Sequence, residues 1–181
     1  MSEAALLENF IFCADIFETK EFCIAGGAIV SIASKQPVKD IDCFFINEDN
    51  YNVAIENIHY KAKLIKSRNN SKMFKLKSGL LIDLILPGKD SFDSIVNKFD
   101  LVHTQQYFTQ ETGLVSHGRS AEYTESKQLH LNVITYPWLT FGRIARKLSQ
   151  GWIIDPIQER NIIDYCYNAP WGPGVESEYL L

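Results

Sequence analysis

Leu6, Leu7, Phe10, Ile11, Ala14 and Phe17 recur at intervals of three and four, which predicts a helix over residues 2–18 with Ser2 as its N-cap. Apolar runs over 21–25, 41–46, 60–67, 71–77 and 80–86 are short and bounded by Gly, Pro or Asn, as strands are. Gly26-Gly27 closes the first strand, 28–34 reads as a short helix, and Pro37 breaks the chain before the second strand. Residues 47–50 read as a turn and 51–57 as a helix; Asn69-Asn70, Ser78-Gly79 and Pro87-Gly88 mark the turns around the later strands. The pattern then predicts a helix over 91–97, a strand over 99–108, a loop or hairpin over 109–127 with a short helix near 120–126, and a strand over 129–133. Trp138, Phe141, Ile144, Ala145 and Leu148 return to helical spacing, and Gly151 reads as the stop. A last helix is expected over 155–167, with Pro156 at its first position, and an irregular tail from Pro170.

This order predicts an α+β fold, a mixed sheet flanked by helices with a C-terminal helical appendage. Residues 1–136 would form the core and 137–181 the appendage packed on it. A chain of 181 residues that is 46% hydrophobic can bury a core of its own. Eighteen basic residues against 22 acidic ones leave a net charge of −4, which argues against a strong unspecific hold on nucleic acid. One stretch departs from that balance: Lys61, Lys63, Lys66, Arg68, Lys72, Lys75 and Lys77 follow one another with no acidic residue between them. They read either as a solvated hairpin face or as a surface that steers a polyanionic substrate. Cys13, Cys23, Cys43 and Cys166 have no metal-ligand spacing and sit among apolar neighbours. They read as reduced core cysteines of a cytoplasmic protein, with no zinc site. The first helix carries acidic residues within its apolar pattern, unlike a signal peptide, and no run is long enough to span a membrane.

Candidate chemistry begins at Asp40-Ile41-Asp42, which opens the second strand. A spacing of two places both carboxylates on one strand face, where they repel unless a cation or proton lies between them. The third carboxylate expected beside them is Asp83, alone in the apolar run Leu80-Leu81-Ile82-Asp83-Leu84-Ile85-Leu86. Burying an unpaired carboxylate there is costly, and a metal ion would remove the cost. Asp100 is the other candidate for this third position. Together these residues suggest a magnesium or manganese site for phosphoryl transfer, since magnesium takes oxygen ligands and needs few carboxylates. Gly26-Gly27, upstream of Asp40, lets backbone approach a triphosphate, and the helix that follows offers free N–H groups to it. Arg143 and Lys147 lie four apart near a helix end, where they either complement the helix dipole or face the nucleotide. His103 reads as a core or edge histidine, and Trp138 and Trp152 as core aromatics or base-stacking platforms.

The arrangement from Gly26-Gly27 to Asp40-Ile41-Asp42 resembles the signature of the DNA polymerase β-like nucleotidyltransferase superfamily, in the branch of CCA-adding enzyme and bacterial poly(A) polymerase head domains. Val30 and Ser31 stand where that branch has Arg and Asp. Phe99-Asp100-Leu101-Val102-His103, Tyr136-Pro137 and the Arg143 to Trp152 stretch are similar to small nucleotidyltransferase-like proteins encoded by bacteriophages. The resemblance spans residues 22–152. It implies the fold, two metal ions on Asp40, Asp42 and Asp83, and a triphosphate lined by Gly26, Gly27 and Ser31. In that superfamily the third carboxylate also orients or deprotonates the attacking hydroxyl.

The reading that follows is transfer of a nucleoside monophosphate from an NTP to an acceptor hydroxyl, with an RNA 3′ end as the first choice of acceptor and a protein side chain or small molecule as the others. A reading from another class is a catalytically silent copy of the fold, a binding or inhibitory module in phage–host interaction. The altered Val30 and Ser31 positions and the short C-terminal part favour it; the aspartates at all three positions favour the enzyme.

Overall fold

The computed structural model describes residues 3–168, apart from 90 and 136. Ser2, Tyr136 and the tail from Pro170 lie outside the described residues. The chain forms α1 (Glu3–Phe17), β1 (Cys23–Ala25), α2 (Gly27–Ala33), β2 (Asp40–Phe44), α3 (Glu48–His59), β3 (Ala62–Ser67), β4 (Ser71–Leu76), β5 (Leu81–Ile85) and α4 (Phe92–Val96). A 3-10 turn (Val102–Thr104) leads to β6 (Gln106–Thr109), β7 (Gly113–Ser116), α5 (Ser120–Glu125), β8 (Gln128–Leu129), α6 (Pro137–Ser149), β9 (Ile153–Ile154) and α7 (Pro156–Asn168).

Seven strands form one sheet in the order β3-β4-β5-β2-β1-β6-β7, and β8 pairs with β9 beside it. Only β2 and β5 run parallel within the large sheet; its other neighbours are antiparallel. One face is covered by α1 and α3. Leu6, Phe10, Phe17, Phe22, Ile41, Phe45, Ile58, Phe74, Ile82 and Leu84 meet there with no exposed surface. Phe10 stacks on Phe22 at 4.4 Å between ring centroids, and Phe17, Phe45 and Tyr51 continue the aromatic layer. On the opposite face, α4 covers the β1 and β6 side through Ile95 and Val96, which pack with Cys23, Ala25, Phe44 and Tyr107 of the sheet. A third cluster, with Val30, Leu101, Leu129, Ile144 and Trp152, joins α2 to α6 and β9.

Local chemistry moves three of the expected boundaries. The turn read over 47–50 is the first turn of α3: the Asn47 side chain accepts the Asn50 N–H at 3.1 Å, and Glu48 and Asp49 favour the positive helix end. The strand expected over 99–108 is broken. Val102 N–H donates to the His130 carbonyl and Asn132 N–H to the Asp100 carbonyl, so this backbone pairs with residues 130–132 through a single Leu101–Leu131 bridge instead of joining the sheet. The Thr104 hydroxyl then donates to the Leu101 carbonyl at 2.6 Å and closes the 3-10 turn. The strand over 129–133 shortens to Gln128–Leu129, because β9 offers it only two partners.

Candidate functional site

The parallel pairing of β2 with β5 sets Asp42 directly beside Asp83, and Asp40 beside Leu81. Side chains alternate between faces along a strand. Ile41, Cys43, Ile82 and Leu84 enter the helix-covered core, so Asp40, Asp42 and Asp83 share the opposite face. Asp40 at the strand start is exposed and Asp42 half-buried. Asp83 is 8% exposed, and its Oδ1 is buried with no hydrogen-bond partner.

Burial pushes the Asp42 carboxyl up from 3.8 to about 7, helped by repulsion from Asp40 and Asp83 and opposed by Arg143 and Arg146. Burial likewise raises Asp83; the Arg68 guanidinium opposes it, repulsion from Asp40 adds to it, and Lys66 opposes it. The carboxylates therefore lie between two groups of cations. Arg143 and Arg146 come from α6, and Lys66 and Arg68 from the β3–β4 hairpin. Two adjacent carboxylates, one with a buried unpartnered oxygen, are the oxygen donors a hard divalent cation requires. Among the described residues no group of three His, Cys, Asp or Glu side chains stands close enough to hold a metal ion by itself. Magnesium characteristically takes one or two carboxylates and completes its shell with water and substrate phosphates, and Asp42 with Asp83 fits that pattern.

Gly26 and Gly27 differ in what they contribute. Gly26 has φ 71° and ψ −125°, a backbone conformation suited to glycine, and it occupies the cap position of α2. A Cβ at this position would stand 3.5 Å from the Phe99 ring and 3.9 Å from an Asp42 carboxylate oxygen. The glycine thus brings the start of α2 against the acidic pair. Gly27 faces open space. Ser31 is half-buried and lies four residues, one helical turn, beyond Gly27.

Asp100 does not join the acidic group. Its Oδ2 accepts the Thr140 hydroxyl at 2.7 Å and Arg143 Nη1 at 2.6 Å, so it pins α6 beside the site. Its loop is held in turn by Asn132, whose amide donates to the Asn97 and Phe99 carbonyls at 2.8 and 3.0 Å. Lys147, one helical turn beyond Arg143, has other surroundings: its ammonium lies 4.6 Å from the centre of the Trp152 ring, and burial with repulsion from Arg146 lowers it to about 8. Trp152 is buried, which leaves no room for a stacked base, whereas Trp138 is 57% exposed. His103 is wholly buried against Trp152, its ring nitrogens are unpartnered, and burial lowers it to about 3. It is a neutral core side chain. Arg146 also acts on Asp42; its spacing of three from Arg143, which puts both on one helix face, is the signal for it in the sequence.

Solved structures similar in fold include CCA-adding enzymes. One in complex with ATP matches with a TM-score of 0.69 at 15% identity, over 90% of this chain and 43% of that one. The Thermotoga maritima enzyme complexed with tRNA gives 0.68 at 15%, over 88% and 42%. The Bacillus stearothermophilus enzyme in complex with CTP gives 0.58 at 13%, over 94% and 44%. This chain spans less than half the length of each, and at such identities the likeness shows the nucleotidyltransferase fold. No curated protein matches the sequence significantly. The sequence matches the Gabija anti-defense 2 (Gad2) family over residues 3–127, which include Gly26, Asp40, Asp42 and Asp83 and more than half the chain; the protein belongs to the Gad2 family.

Proposed function

We propose that this Gad2-family protein is a divalent-cation-dependent nucleotidyltransferase that moves a nucleoside monophosphate from an NTP to an acceptor hydroxyl, with an RNA 3′ end as acceptor. The observation that carries the reading is the in-register pair Asp42 and Asp83, one oxygen of which is buried without a partner. The fold neighbours include complexes with ATP, CTP and tRNA, which supports an NTP donor and an RNA acceptor.

In this reading Asp42 and Asp83 would hold the cation, with Asp40 adding its charge from the start of β2. Bound there, magnesium or manganese supplies charge neutralisation for the triphosphate and the departing pyrophosphate. Gly26 and Gly27 leave the backbone close to the triphosphate, and Ser31 lies one turn along the same helix. Arg143, set by Asp100, and Arg146 neutralise phosphate oxygens from the α6 side, with Lys147 next along the helix. Asp83 takes the proton of the acceptor hydroxyl as that oxygen bonds to the α-phosphorus. The bond from the α-phosphorus to the β-phosphate oxygen breaks, and pyrophosphate leaves. A carboxylate whose affinity for protons is raised by burial suits this role.

The family name favours a second reading, a silent copy of the fold that inhibits its target by binding. In either case we place the protein as phage-encoded and acting in the host cytoplasm; among the described residues no helix is long and apolar enough to cross a membrane. One experiment separates the readings. Pure protein is incubated with manganese or magnesium, each labelled NTP, and pools of host RNA and protein. Label should enter RNA and be lost in Asp40→Ala plus Asp42→Ala. Label that survives this double substitution would sink the mechanism. Label in protein would redirect the acceptor to a side chain, and no label, with no manganese bound by calorimetry, would establish the silent module.

A further inference from the structure

The seven cations between Lys61 and Lys77 have separate structural fates. Lys61 caps the end of α1, donating to the Asp15 and Ile16 carbonyls at 3.0 and 3.2 Å. Lys72 lies over the Tyr51 ring at 5.9 Å, on the side of the helices. Lys63, Lys66 and Lys75 take the other face, and the register shows how. Lys75 pairs with Leu81, the residue beside Asp40, and Lys63 pairs with Lys75. Met73 pairs with Asp83, and Lys66 pairs with Met73 beyond a bulge between Leu64 and Lys66. The bulge restores Lys66 to the carboxylate face, which a regular strand would have denied it. Two rows therefore cross the sheet on its acidic face: Asp40, Leu81, Lys75, Lys63 and Asp42, Asp83, Met73, Lys66. Among the described residues Lys63, Lys66, Arg68 and Lys75 form no salt bridge.

Like charges directly opposite on paired strands destabilise a sheet, so Lys63 facing Lys75 is a cost the fold carries without an internal partner. Neighbouring strands are about 4.8 Å apart, which puts the backbone of Lys66 two strands, about 10 Å, from that of Asp83. A strand with its terminal hydroxyl at Asp83 would carry its preceding phosphates across this distance.

We infer that the acidic-side face of β3–β4, through Lys63, Lys66, Arg68 and Lys75, is the track for single-stranded RNA whose 3′ end enters the Asp42–Asp83 site. This rests on the nucleotidyl-transfer reading above and adds to it the surface that holds the acceptor. The test is fluorescence anisotropy of a labelled twelve-nucleotide oligoadenylate with the full chain across a salt series. Lys63→Ala plus Lys75→Ala should weaken binding about tenfold and reduce the slope of log affinity against log salt by about 1.4, some 0.7 for each lost phosphate contact. Removing a repelling pair should leave the melting temperature equal or higher, so lost binding cannot be laid to misfolding. Wild-type protein that ignores the RNA, or binds it with the same slope as the double variant, overturns the inference, as does a preference for polyglutamate as an acidic-protein mimic. Binding of ATP with manganese, titrated separately by calorimetry, reports on the nucleotidyl-transfer reading. Its absence would refute that reading, whereas loss of the RNA effect alone would refute only the track.

Discussion

Asp42→Asn keeps the shape of the side chain at the centre of the site and removes its charge. In the folded protein Asp42 titrates at about 7 against an ordinary 3.8. Between those values the native state holds a proton that the unfolded state has released, so stability falls as the pH rises toward 7 and levels off above it. Each unit of difference corresponds to about 1.4 kcal/mol. From pH 5 to pH 8 this one group should therefore cost the fold about 2.5 kcal/mol, and nearer 1 if its half-buried side chain keeps good contact with water. For a chain of this size that is a fall of about 3–10 °C in melting temperature. His103 acts in the opposite sense: held neutral to about 3 when folded, it costs stability as the pH falls below its ordinary 6.5. Wild-type melting alone would mix the two. The difference between Asp42→Asn and wild type cancels His103 and isolates the carboxylate. Thermal melts of both proteins at pH 5 and pH 8, without divalent metal, should show the variant's advantage growing by about 3–10 °C at the higher pH. Manganese should stabilise wild type at pH 8 and shrink that advantage, because the cation favours the ionised carboxylates. A gap that is the same at both pH values would refute the burial and repulsion assigned to Asp42.

Two further substitutions probe how the site is built. Gly26→Ala forces a side chain into a backbone conformation with φ 71° and should cost about 1–3 kcal/mol in urea unfolding; a neutral result would mean that the start of α2 can adjust without loss. Asp100→Asn removes the counter-charge of Arg143 and should cost about 1–2 kcal/mol, since the bond is charge-assisted but Arg143 is half in water. Equal unfolding midpoints would show that α6 is held by its apolar contacts alone.

The order of elements as far as β5 could be read from the chain because each strand is a bounded apolar run. Asp83 stood out because six apolar residues surround it in sequence. What could not be read depended on partners far along the chain. Residues 99–108 alternate well enough for a strand, yet their carbonyl and N–H groups at 100 and 102 meet residues 130–132 instead of a sheet edge. Asp100 reads as a metal ligand until Thr140 and Arg143, forty or more residues on, are seen to bind it. The basic stretch could be counted but not sorted: a bulge at Leu64/Lys66 and the β4–β5 register decide which lysines share a face with the aspartates.

The parallel β2–β5 ladder ties the placement of the acidic groups to the packing of the core. A shift of one residue would swing Asp83 into the apolar layer and expose Ile82 and Leu84. The core therefore polices which face the acidic groups take. A one-residue misalignment is thereby closed as a route to inactivity, whereas replacement of a site residue stays open. Leu in place of Asp83 would remove a buried, unpartnered oxygen and steady the fold. A protein that used this scaffold solely to grip a partner would gain by such a change, yet Asp40, Asp42 and Asp83 are all present here, with Asp42 and Asp83 held at a standing cost.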